Sequence, residues 1–171
     1  APILVMGERG VGKSTVIKER LGTTKAGFVE IACGTFSDEL FRSELFGHQK
    51  GSFSGAIDNK KGLIETVANG GILFLDEIQD LSKANQRLLL QVLQQRIYYP
   101  IGSTSPKVAN FRIVAATNLS FSKLLSSDRL DLDFFDRISR FVVEFPALRD
   151  SPEDLPSIWK TTWQQLASFD Q

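Results

Sequence analysis

Apolar positions along the chain come in two rhythms. Short unbroken runs occur at residues 2–6 (Pro-Ile-Leu-Val-Met), 28–32 (Phe-Val-Glu-Ile-Ala), 71–75 (Gly-Ile-Leu-Phe-Leu), 111–116 (Phe-Arg-Ile-Val-Ala-Ala) and 141–144 (Phe-Val-Val-Glu), the last closed by Pro146. Runs this short, without strict alternation, predict strands buried on both faces. Between them the spacing is helical. Residues 13–21 predict a helix ending at Gly22. Residues 37–46 predict a second, with Ser37 as N-cap and Leu40, Phe41 and Leu45 on one face. Residues 83–96, rich in Leu, Gln and Arg, predict a strong helix, and 62–68, 120–126 and 131–138 predict short ones. Residues 151–168 predict a helix with Pro152 in its first turn. The Gly/Ser-rich stretch 47–58 predicts a loop, and 97–108, with Tyr98, Tyr99, Pro100, Gly102 and Pro106, a turn or hairpin. Strands separated by helices imply an α/β fold: three layers, with a central parallel five-stranded sheet covered on both faces.

Composition adds limits rather than a function. Of 171 residues, 42% are hydrophobic and 23% charged, as in ordinary globular chains. Twenty Lys and Arg balance twenty Asp and Glu, for a formal net charge of zero. Binding of nucleic acid or membrane by bulk charge is therefore not expected. The lone cysteine, Cys33, cannot form an internal disulfide, and no apolar run approaches the ~20 residues that span a bilayer. No repeat or low-complexity tract occurs. The length suits one domain, but the chain enters its first strand at once from Ala1, as a piece of something longer would.

The sharpest chemical signal is Gly7-Glu8-Arg9-Gly10-Val11-Gly12-Lys13-Ser14, followed by Thr15. It fits the G-x-x-x-x-G-K-[ST] phosphate loop, in the required position between a strand and a helix. The glycines let backbone N–H groups close around phosphate oxygens, and the helix N-terminus favours an anion. Lys13 would reach the outer phosphates and the Ser14 hydroxyl would ligate Mg²⁺.

Two further strand ends carry polar groups. The third strand ends in Asp76-Glu77. Ligands collect at strand carboxyl ends in parallel sheets, so Asp76 is placed to hold Mg²⁺ with Ser14, and Glu77 to polarise an attacking water. Water as nucleophile favours hydrolysis of a nucleoside triphosphate over phosphoryl transfer, and no N-K-x-D motif for reading guanine occurs. The fourth strand ends in Thr117-Asn118. If that strand lies beside the first, either residue could touch the γ-phosphate or the water; equally, Asn118 could cap the next helix.

These elements, in this order, resemble an AAA+ ATPase. Ser43-Glu44-Leu45-Phe46-Gly47-His48-Gln49-Lys50-Gly51-Ser52-Phe53-Ser54-Gly55-Ala56 resembles, more narrowly, the ELFGHxxGAFTGA signature of bacterial sigma-54-dependent transcription activators. Gly70–Ile78 and Phe145-Pro146-Ala147-Leu148-Arg149 resemble two more blocks of that family. The resemblance implies a cytoplasmic bacterial ATPase using ATP and Mg²⁺, assembled as a hexameric ring with nucleotide between subunits. It implies that Gly51, Ser52, Phe53, Ser54, Gly55 and Ala56 form a loop that pushes on the sigma-54 subunit of RNA polymerase, opening the promoter. Phe53 would be its apolar tip, unless it folds back on the core. No direct DNA contact or membrane contact is implied for this segment.

The resemblance also frames three departures. Ser52 and Ser54 stand where the family has Ala and Thr. Ala32 stands where the family has an Asn that latches the catalytic Glu. The family has two arginines that reach into the neighbouring site; Arg137 matches the second, whereas the first falls on Asp131, with Arg129 two residues away. Arg137 could instead form a surface ion pair with Asp133 or Asp136. The implied organisation is an α/β ATPase subdomain over 1–150, then a linker or first helix over 151–171 toward a helical lid largely absent from this chain. Leu155, Ile158, Trp159, Trp163, Leu166 and Phe169 would then expose apolar surface. Two alternatives stay open: an AAA+ relative acting on another partner, or an ATP-binding regulatory module with weak turnover.

Overall fold

A computed structural model describes residues 1–167, and all their side chains except those of 161, 162 and 164–167. In chain order the elements are β1 (Ile3–Met6), α1 (Lys13–Leu21), β2 (Phe28–Ala32), α2 (Asp38–Phe46), β3 (Gly47–His48), β4 (Lys60–Lys61), α3 (Leu63–Val67) and β5 (Asn69–Asp76). There follow α4 (Lys83–Gln95), β6 (Ile97–Tyr98), β7 (Lys107–Val108), β8 (Asn110–Thr117), α5 (Phe121–Ser126), α6 (Leu132–Ile138), β9 (Phe141–Glu144) and α7 (Leu155–Ala167).

Five strands form one parallel sheet in the order β2-β5-β8-β1-β9. The pleat sends alternate side chains to opposite layers. Val5, Ile72, Phe74, Val114 and Ala116 pack with Ile17 of α1 on one face. Leu4, Met6, Leu73, Leu75, Ile113 and Ala115 join Phe41, Leu45, Ile64, Leu89 and Phe134 from the helices of the other. The sheet is thus the middle of three layers, as the unbroken apolar runs predicted.

The structure corrects four details. Cover on both faces fails at β9: Phe141, Val142 and Val143 are all exposed, because β9 is an edge strand paired only with β1. Leu40 is 46% exposed, while Phe41 and Leu45, one helical turn apart, carry the buried face of α2. Residues 47–58 are not all loop, since Gly47 and His48 pair antiparallel with Lys61 and Lys60. Helix α4 stops at Gln95 because Arg96 takes a left-handed conformation.

The sheet order fixes what meets at the carboxyl ends. Met6 is in register with Thr117, and Ala32 with Asp76. The residues that follow β1, β5 and β8 therefore emerge side by side. Farther along, Leu155, Ile158, Trp159 and Trp163 of α7 are exposed, with the two indoles stacked at 6.2 Å. The Leu166 side chain and Phe169 lie outside the described residues.

Candidate active site

Residues 7–14 wrap the carboxyl end of β1. Gly10 and Gly12 have φ of 82° and 85° with open space around a notional Cβ, so backbone conformation demands glycine there. Gly7 is limited by space as well, since a Cβ would come within 2.9 Å of Phe145 Cβ. Lys13 is buried, and its Nζ donates to the carbonyls of Gly7 (2.7 Å) and Glu8 (2.8 Å). Burial pushes the Lys13 ammonium down from its ordinary value, and Asp76 and Glu77 partly oppose that. No carboxylate pairs with Lys13 within 4.0 Å among the described residues, so its charge is available to an anion.

Ser14 and Asp76 come together directly. The Ser14 hydroxyl donates to Asp76 Oδ2 at 2.6 Å, although the two lie 62 residues apart. The Glu77 backbone N–H donates to Asp76 Oδ1 at 2.9 Å. Glu77 itself is left-handed, at φ 51°, a conformation unusual for a residue with a Cβ. Its carboxylate meets the Arg9 guanidinium at 3.5 Å. Ala32 alongside offers no polar side-chain atom. A cavity of about 320 Å³ is lined by Arg9, Gly10, Gly12, Lys13, Ser14, Thr15, Asp76, Glu77 and Asn118. The donor set fits a magnesium nucleotide: N–H groups and a buried ammonium for phosphate, with a hydroxyl and a carboxylate in contact as hard oxygen ligands.

The structure also decides between Thr117 and Asn118. Thr117 is buried and donates to Gln79 Oε1 at 2.7 Å, away from the cavity, whereas Asn118 lines it. The residue preceding α5 is Ser120, so Asn118 is not that helix's cap. Glu8 points elsewhere, accepting two bonds from Arg149 at 2.7 and 2.8 Å, which hold its carboxyl below the ordinary range. Val11 packs toward Gly7. Cys33 is buried, and burial pushes its thiol up, followed by the nearby carboxylates.

Arg137 is not at this site. It donates to the Leu93 carbonyl at 2.8 Å and lines a cavity with Pro2, Phe111 and Phe141, at the amino ends of the strands. It forms no ion pair with Asp133 or Asp136 within 4.0 Å among the described residues. Arg129 faces away from Arg137, paired with Asp80 at 3.1 Å in a cleft shared with Arg9 and Asn118. Asp131 is the N-cap of α6, accepting from the Asp133 N–H.

In the 51–56 loop, Phe53 is 44% exposed and leans edge-on against His48 at 4.9 Å. Ala56 is buried and anchors the loop rather than tipping it, with its carbonyl accepting from the Gly51 N–H. Sequence reading missed the support beneath. Gln49 N–H donates to Ile101 O and Ile101 N–H to Gly47 O, seating the loop on the β6–β7 hairpin. The Ser52 hydroxyl is buried there against Gly102 without a hydrogen-bond partner among the described residues.

A family model described as the sigma-54 interaction domain matches residues 1–144. The chain belongs to that family. It is 39% identical over 168 residues to the DNA-binding transcriptional activator HyfR of Escherichia coli, covering 96% of this chain and 25% of that protein. It is 41% identical over 158 residues to the sigma-54-dependent transcriptional activator SfnR of Pseudomonas putida, covering 91% of this chain and 43% of that one. The chain thus spans less than half of these curated relatives. Among solved structures, NtrX of Brucella abortus superposes with a TM-score of 0.84 at 28% identity, over 98% of this chain and 37% of NtrX. A second NtrX structure, in complex with ATP, gives 0.82 at 29% identity, over 98% of this chain and 38% of that one. Hsp104, at 21% identity and a TM-score of 0.63 over 86% of this chain and 29% of its own, shares the fold. The sigma-54 interaction domain is therefore carried here on an AAA+ P-loop fold. No helix among the described residues is long and apolar enough to cross a membrane.

Proposed function

We propose that this segment is the ATP-hydrolysing core of a bacterial sigma-54-dependent activator, working in the cytoplasm. The observation that carries the reading is the junction of Lys13, Ser14, Asp76, Glu77 and Asn118 around one cavity. Residues 7–15 would hold the triphosphate, with Lys13 leaving its two loop carbonyls for phosphate oxygens. Ser14 and Asp76 would hold Mg²⁺, which when bound supplies positive charge against the phosphates. Glu77 orients water for in-line attack and accepts its proton, while Asn118 fixes the water or the γ-phosphate. The structure of NtrX in complex with ATP supports nucleotide binding by this fold.

Arg137 lines a different cavity from the phosphate loop of its own chain, which supports a role in trans within a ring, ordinarily a hexamer. Residues 1–150 would form the ATPase subdomain and 151–171 the connection toward a lid. Residues 51–56 would carry the motion to sigma-54, with Phe53 as the contact. Glu77→Gln is expected to keep ATP binding and to lower turnover at least about a hundredfold. Phe53→Ala is expected to keep turnover and to lose retention on sigma-54 in the presence of an ATP transition-state mimic. Turnover that survives Glu77→Gln contradicts the catalytic assignment, and retention that survives Phe53→Ala contradicts the contact.

A further inference from the structure

Glu77 and Asn118 face one cavity from two segments that have left the sheet. Pairing between β5 and β8 ends with Leu75 beside Ala115. Past it, Glu77 turns left-handed at φ 51° into a short 3-10 turn, Ile78–Asp80, and Asn118 leads toward α5. The ladder therefore stops short of both residues. Among the described residues, one side-chain hydrogen bond crosses between residues 77–81 and 117–120: the Thr117 hydroxyl donates to Gln79 Oε1 at 2.7 Å. Its two members flank the pair that faces the cavity. Gln79 comes two residues after Glu77, and Thr117 immediately before Asn118.

Both side chains are buried, at 5% and 1% exposure, and both are fixed in direction. The Thr117 oxygen also accepts from the Leu119 N–H at 3.1 Å, which closes a tight turn around Asn118. The Gln79 amide nitrogen lies 3.5 Å from Asp80 Oδ2. A carboxylate only accepts, so the carbonyl oxygen of Gln79 is the end turned to Thr117. Ordering a glutamine side chain costs about as much as a neutral hydrogen bond contributes, so stability alone is a poor reason for the pair. Gln79 itself lines the adjoining cleft rather than this cavity. We infer that Gln79 is a positioning residue for hydrolysis: through Thr117 it sets where Asn118 stands relative to Glu77, and so where the attacking water is held. This rests on the function proposed above.

Gln79→Met removes the acceptor at similar side-chain length, Thr117→Val removes the hydroxyl at the same shape, and Thr117→Ser keeps it. In steady-state turnover across ATP concentrations, kcat is expected to fall about tenfold in Gln79→Met and in Thr117→Val, with KM and melting temperature near native. Thr117→Ser is expected to keep the native kcat. Gln79→Met and Thr117→Val combined are expected to lose no more than either alone. A native kcat in Gln79→Met, a change in KM alone, or losses that multiply in the double variant overturns the inference. Hydrogen exchange at the Leu119 amide is a second measurement that needs no nucleotide. Faster exchange is expected in Gln79→Met, because the freed Thr117 hydroxyl no longer holds its oxygen toward that N–H. Native exchange there overturns the inference even if turnover falls. The proposed function fails separately: native protein would not turn over ATP, or turnover would survive Glu77→Gln, while exchange at Leu119 would still report the Gln79–Thr117 bond.

Discussion

The two ends of the sheet present opposite electrostatic situations. At the carboxyl ends the buried Lys13 ammonium sits near Asp76 and Glu77, and the loop carbonyls of Gly7 and Glu8 satisfy its protons. At the amino ends four arginines line a cavity without a carboxylate. A formal net charge of zero hides this, because the imbalance is one of position. The first end gathers the groups that the proposed nucleotide site needs. Two unlike surfaces on one chain suit head-to-tail rather than two-fold association, as the proposed trans role of Arg137 requires.

Disabling one end at a time is expected to have the largest effect. Lys13→Ala and Arg137→Ala proteins are each expected to lose turnover, the latter about a thousandfold, as for an arginine acting on a transferring phosphoryl group. An equal mixture is expected to recover about a quarter of the native rate, because a Lys13→Ala neighbour completes the intact phosphate loop of an Arg137→Ala chain in about one of four random pairings. A steady-state phosphate-release assay reads this directly. If the mixture stays as inactive as its parts, the two ends do not meet.

A smaller effect is expected within the carboxyl end. Ala32 is in register with Asp76 and gives Glu77 no side-chain hydrogen bond; the Arg9 contact at 3.5 Å is a loose and exposed substitute. Ala32→Asn adds an amide beside Glu77. One hydrogen bond is worth about 1 kcal/mol, so basal turnover is expected to fall about fivefold. An unchanged basal rate removes the idea that Glu77 is under-restrained in this chain.

Legibility in the sequence followed the same division. The phosphate loop and Asp76-Glu77 are local motifs at strand ends, and a parallel sheet brings strand ends together whatever the connections, so the Ser14–Asp76 contact was foreseeable. Arg137 could be matched to a motif, but its surroundings could not. Arg96, Arg112, Arg137 and Arg140 converge through α4, β8 and the end of α6, and no spacing rule relates them. Leu40 lies outside the buried stripe of α2, which runs through Phe41, Leu45 and Phe46. Phe41 and Leu45 won by lying one turn apart. The seat of the 51–56 loop on residues 97–108 was invisible for a related reason: backbone hydrogen bonds between distant segments leave no side-chain signature.

That seat offers a stability test well away from both ends. The Ser52 hydroxyl is buried against Gly102 with no partner among the described residues, and an unmet buried hydroxyl costs about 1–3 kcal/mol. Ser52→Ala is expected to raise stability by about 1 kcal/mol in chemical denaturation, without changing ATP binding. A loss of stability would mean that the hydroxyl has a partner, such as a bridging water.

The smallest effect concerns the clamp beside the phosphate loop. Arg149 holds Glu8 through two hydrogen bonds, and these lower the Glu8 carboxyl from its ordinary 4.5 despite some opposing desolvation. A carboxyl that is more acidic in the folded chain adds stability above its unfolded value, and that stability is lost as pH falls through the folded value. Arg149→Gln is therefore expected to lower the melting temperature slightly near neutral pH. The gap from native protein should narrow as pH falls below 4.5. Both side chains are largely exposed, so added salt should narrow the gap as well. A gap that ignores both acid and salt would make Arg149 a packing residue acting through its aliphatic stem, and would leave the phosphate loop held by Lys13 and its two carbonyls alone.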